Sequence, residues 1–201
     1  RQTRSVDALL SAGDCTAAAA LIPAIETLRE TALRNATLAY LAILRGRSAE
    51  AEVRLDRAWS IVNTERDPDV ASLIAARRVL HALIRGQGAE LIEWADRAVE
   101  LTGPTSPTGV EATVIRGLGE AWSGHPQRGI DTYHTVSEAI RHGAQAQRAT
   151  MGRGWLQLGV DELDAARTSL ETAVSMARLG GSDRITLWLS LIHISEPPRP
   201  Y

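Results

Sequence analysis

The 201-residue sequence has no lysine, no phenylalanine and a single cysteine, Cys15. One thiol cannot staple the chain to itself, so a reducing compartment, the cytoplasm, is the expected location. No apolar run approaches the roughly 18 residues that a membrane span requires. The longest candidates, such as Leu187 to Ile194, are far shorter. The opening Arg1-Gln2-Thr3-Arg4 leads into an ordinary amphipathic pattern, not a secretory leader. No initiator Met precedes it, so the chain reads as a segment of a larger protein. The formal net charge is −2. No global field draws it to nucleic acid or to an anionic membrane, and direct contact with either is not expected. Period-2 alternation is missing and β-branched residues do not cluster, which removes the strand signal.

What is present is alanine and a recurring turn. Alanine is the best helix former. Small turns fall at Ala12-Gly13-Asp14, Arg45-Gly46-Arg47, Arg85-Gly86-Gln87, Gly124-His125-Pro126 and Val160-Asp161-Glu162. Counted between Gly13, Gly46, Gly86, Gly124 and Asp161, the spacings are 33, 40, 38 and 37 residues. Each turn separates two helical stretches. The predicted pairs are 4–12 with 15–30, 32–45 with 48–63, 68–85 with 88–102, 107–123 with 126–142, and 144–159 with 161–179, and a lone helix begins near 183. Asp67-Pro68-Asp69 and Ser106-Pro107 place a capping residue before a proline at the first helical position. Pro126 opens a helix in the same way. Leu179-Gly180-Gly181-Ser182-Asp183 reads as a stop and a new cap. Pro23 is dissonant inside its helix and should kink it or delay its start.

The second helices share residue types at fixed offsets from the turn. Five residues on stand Ala18, Ala51, Leu91, Gly129 and Ala166; nine on, Ile22, Leu55, Ala95, Tyr133 and Leu170; twelve on, Ile25, Ala58, Ala98, Val136 and Ala173. Small, large, small at this spacing lets two helices approach while one apolar side chain plugs the gap. The period and these offsets resemble tetratricopeptide repeats. The resemblance covers residues 5–180 and implies an all-α solenoid of about five antiparallel helix pairs, wound as a right-handed superhelix, each pair touching only its neighbours. Residues 1–189 are assigned to this repeat domain. Residues 190–201 are not. Three of the last five residues are proline, and the tail resembles a translated adapter or assembly junction, expected to be disordered.

In this repeat class the first helices line the concave groove. Six residues before each anchor stand Tyr40, Leu80, Leu118 and Trp155. Such an apolar row is a candidate surface for a helix or a neighbouring domain, unless the superhelix winds tightly enough to cover it. The lysine-dependent carboxylate clamp of chaperone-binding repeats is excluded by composition. Arg77 and Arg116 are candidate contacts to a partner's acids or to a phosphate; with Arg78, Arg148 and Arg153 they read more simply as a solvated face. The five tryptophans, Trp59, Trp94, Trp122, Trp155 and Trp188, read as packing between helices rather than an aromatic cage. His81, His125, His134, His142 and His193 lack the spacing of a metal site. Gly117-Leu118-Gly119 and Gly152-Arg153-Gly154 follow no strand and lack the lysine of a phosphate loop; they read as places where helices cross closely. No nucleophile and base pair is legible, and no catalytic residue, metal ligand or cofactor of this segment is assigned.

Stretches such as Arg45-Gly46-Arg47-Ser48-Ala49-Glu50-Ala51-Glu52, Leu55-Asp56-Arg57-Ala58-Trp59, Glu93-Trp94-Ala95-Asp96-Arg97-Ala98-Val99 and Arg153-Gly154-Trp155-Leu156 carry a second resemblance. Together they resemble the helical-repeat region of large ATP-binding LuxR-type transcriptional regulators. That resemblance implies a non-catalytic sensor or scaffold segment that binds a protein, a flanking domain of its parent or a small-molecule inducer. ATP binding and DNA binding would belong to other modules of the parent. The alternative is a free-standing scaffold that binds a peptide or protein.

Overall fold

The computed structural model describes residues 1–12, 14–140 and 143–180. Among them are ten α-helices and no strand. They are α1 (Gln2–Ser11), α2 (Cys15–Glu26), α3 (Ala32–Leu44), α4 (Ser48–Ile61), α5 (Pro68–Arg85), α6 (Gly88–Thr102), α7 (Pro107–Trp122), α8 (Pro126–Ala139), α9 (Gly143–Gly159) and α10 (Leu163–Leu179). The five expected pairs are present. The tail, Trp188, His142 and His193 lie outside the described residues, as does Gly13.

One turn geometry recurs. Gly46, Gly86, Gly124 and Asp161 all have positive φ, at 70°, 66°, 90° and 62°. After each, a backbone N–H reaches back across the helix end: Arg47 to Ala42, Gln87 to Ala82, His125 to Glu120 and Glu162 to Gln157, at 2.8 to 3.0 Å. This satisfies carbonyls that a helix end leaves bare. Asp161 does with a side chain what glycine does elsewhere without strain. Ser106 caps α7 by accepting from Gly109 N–H at 2.9 Å, as its position before proline predicts. Pro23 does not delay its helix, which begins at Cys15 as expected. It sits near the end of α2, which stops at Glu26, four residues short of the expected end.

Packing follows the offsets. Ala18, Ala51, Leu91 and Ala166 are sealed, as are Leu55, Ala95 and Tyr133, and Ile25, Ala58, Ala98 and Ala173. Except between α2 and α3, adjacent helices pack closely in chain order, and each odd helix also packs on the next odd helix, so α1, α3, α5, α7 and α9 form a continuous layer. The core is divided accordingly. One cluster joins α1, α2 and α3, the next α3, α4 and α5, then α5, α6 and α7, then α7, α8 and α9, and the last α9 and α10. Such nearest-neighbour cores mark a helical repeat array. The glycines of α7 and α9 mark close crossings. A Cβ on Gly152 would lie 2.6 Å from the Tyr133 hydroxyl, and one on Gly119 2.9 Å from side-chain carbons of Leu91 and Ile92.

Candidate functional site

The layer of odd helices presents the row Tyr40, Leu80, Leu118 and Trp155, and its members have different surroundings. Tyr40 on α3 is only 4% exposed. The Arg77 guanidinium from α5 lies over its ring, 3.4 Å from the centroid. Arg77 Nη2 also donates to Asp7 Oδ1 and to Ser11 Oγ on α1, both at 3.2 Å. Thr37 Oγ1 donates to the same Asp7 oxygen at 3.4 Å. Leu80 is half-buried and packs against both N-terminal clusters. Pair three thus reaches pair one, so contacts are not confined to neighbouring pairs. Arg77 is long enough to bridge the layer, and the cation over Tyr40 with Asp7 at its edge stabilises that reach.

The other end of the row is open. Leu118 on α7 is half-buried against the α7–α9 cluster. Trp155 on α9 is 40% exposed, and Trp122 at the end of α7 is 46% exposed. Tyr133 on α8, wedged against Gly117 and Gly152, is fully buried; its hydroxyl lies near the Leu118 backbone with no partner in good hydrogen-bonding geometry. Burial pushes that phenol well above its ordinary range. Arg116 is held by Asp96 Oδ1 at 2.7 Å and Glu120 Oε1 at 2.8 Å, tying α7 to α6. Arg77 and Arg116 are therefore both engaged inside the chain.

Arg78 departs further from a solvated face. It is 5% exposed, is paired with Asp56, and lies 5.0 Å from the Trp94 ring centroid. Trp94 meets Trp59 edge-on at 5.0 Å, and Arg97 covers Trp59. These two tryptophans are packing residues on α4 and α6. Arg148 pairs with Glu111, and Arg153 Nε donates to Ser169 Oγ at 3.2 Å.

His81 is the buried titratable group that sequence reading missed. Its Nε2 faces Ser48 Oγ at 2.9 Å and Ser48 carbonyl at 3.1 Å. Arg85 Nη1 lies 3.4 Å from Nδ1 and donates to Glu52 at 2.9 Å, while Arg85 Nη2 donates to Glu90 at 2.6 Å. A guanidinium can only donate, so Nδ1 accepts and the proton sits on Nε2. Ser48 Oγ then accepts from histidine, the opposite of what an activated nucleophile requires. Desolvation and the neighbouring Arg85 hold the imidazole below its ordinary pKa. The group joins α4, α5 and α6. His81 lies seven residues after Ile74, on the buried stripe of α5, and that spacing is the signal by which it could have been found.

Among the described residues no cluster of three or more His, Cys, Asp or Glu side chains could hold a metal ion. No helix among them is long and apolar enough to cross a membrane. No protein-family model, curated protein or solved structure matches the chain.

Proposed function

We propose that this chain is a non-catalytic sensor and scaffold segment of a signal-responsive LuxR-type transcriptional regulator, located in the cytoplasm. The open end of the inner row receives a protein element, either a flanking domain of the parent or a partner helix. The observation that carries this reading is the contrast along the row. Tyr40 is closed over by Arg77, while Trp155 stays 40% exposed and Leu118 half-buried. An apolar ridge on a helical layer suits the apolar face of another helix. Tetratricopeptide-like repeats use such a layer for binding, and the Trp59, Trp94 and Trp155 stretches resemble the regulator group. ATP and DNA contacts then belong to other modules, and an inducer would act by changing how the segment meets them.

The test is sedimentation of the chain across concentrations, beside Trp155→Ser. Self-association that weakens in the variant, with an unchanged helical spectrum, supports an open binding ridge. A monomer at all concentrations whose Trp155→Ser variant unfolds identifies Trp155 as core and ends the proposal. The parent reading is tested separately by the upstream coding frame, where a GxxxxGK[ST] loop is expected. A start codon immediately before Arg1 would favour a free-standing scaffold instead.

A further inference from the structure

We propose that a cleft at the N-terminal end of the odd-helix layer binds a free α-amino acid with an apolar side chain. The cleft has a volume of about 260 Å³ and is lined by Arg4 and Asp7 of α1, Leu33 of α3, and Asp69, Val70 and Leu73 of α5. It shares no residue with the Leu118 and Trp155 ridge and does not depend on that reading. The cleft is open to solvent on one side and has room for a small molecule.

The charges define the class. Asp7 is already occupied by Arg77. Arg4 and Asp69 have no ion-pair partner among the described residues. One cation and one anion therefore stand on two different helices, and half-buried Leu33, Val70 and Leu73 line the space with them. A carboxylate for Arg4, an ammonium for Asp69 and an apolar side chain for the floor are the three groups on one amino-acid Cα. A ligand with only one charge would forgo one of these two charge-assisted contacts. A nucleotide would require more positive charge than the one arginine that lines the cleft. The walls are already tied, because Arg77 on α5 bonds Asp7 and Ser11 on α1. That pre-organisation reduces the ordering cost of binding.

Calorimetry of the full chain with leucine, isoleucine, valine, methionine and phenylalanine tests this. At least one is expected to bind saturably, one per chain. Its carboxamide and its deaminated analogue should each bind about tenfold or more weakly, the loss of roughly one charged contact. Arg4→Gln should weaken the amino acid yet leave the carboxamide unchanged. Asp69→Asn should do the reverse, sparing only the deaminated analogue. Both side chains are exposed, so an unchanged melting temperature is expected in both variants. Saturable binding by none of the five at millimolar concentration overturns the proposal. So does equal loss for amino acid and analogues in both variants, because that result places the ligand elsewhere.

Discussion

Pairs one to three and pairs four and five share one skeleton and differ at the inner layer. In the N-terminal three, Arg77 spans from α5 to α1, covers Tyr40 and pairs with Asp7. Helix crossings there are lined by alanine and leucine, among them Ala18, Ala51 and Leu55. In the last two pairs Arg148 of α9 pairs with Glu111 of α7, but among the described residues no cation covers an aromatic ring there. Glycines bring α7, α8 and α9 together around Tyr133, and Trp155 is left facing solvent. The repeat supplies the layer. A single long side chain decides whether the layer is a closed seam or an open surface.

The largest effect should come from the C-terminal half. Tyr133→Ala removes a fully buried ring wedged between glycines and should cost about 3–5 kcal/mol in denaturant unfolding. Tyr133→Phe should be neutral or slightly stabilising, since the hydroxyl has no partner to lose. If Tyr133→Phe is costly, the hydroxyl is satisfied and the glycine crossing has another purpose.

Next comes the seam itself. Arg77→Ala should cost about 1–2 kcal/mol, through the lost cation over Tyr40 and the lost partner of Asp7. It should also make the N-terminal row as accessible as the C-terminal one, read as increased binding of an apolar dye. Unchanged dye binding would mean that Tyr40 is sealed by helix packing alone, and the contrast between the halves would collapse.

The His81 junction predicts a smaller effect dependent on pH. Its folded pKa is lowered, so the unfolded chain binds the extra proton first. Its stabilising contribution is present above about pH 6.5 and is lost as the pH falls below that value. The slope cannot exceed about 1.4 kcal/mol per pH unit. Unfolding of the wild type and His81→Gln at pH 7.5 and 5.5 should differ in slope. Parallel slopes would show that His81 does not titrate between the two states. The smallest effect is at Asp161, whose φ is 62° where three sister turns have glycine. Asp161→Gly should stabilise by about 0.5–1 kcal/mol, while Gly86→Asp should destabilise.

Much of this molecule was legible from local pattern. The turn at Gly46 or Gly86 is announced by glycine, and the repeat by spacing. Ala58 and Ala173 are buried because a 3.6-residue period places them on the inward stripe of their helices. Those features depend on neighbours within one or two turns of the same helix. The candidate surface was only half legible. The sequence by itself determined that Tyr40, Leu80, Leu118 and Trp155 stand at equivalent positions of the repeat. Tertiary structure alone decided that Tyr40 is roofed by an arginine, that Arg78 is buried beside Trp94 and that His81 is sealed beside Ser48. Each of those outcomes depends on groups 16 to 70 residues apart, from Arg78 with Trp94 to Arg77 with Asp7. Helical periodicity says which way a side chain points, while the distance between packed helices says what it meets.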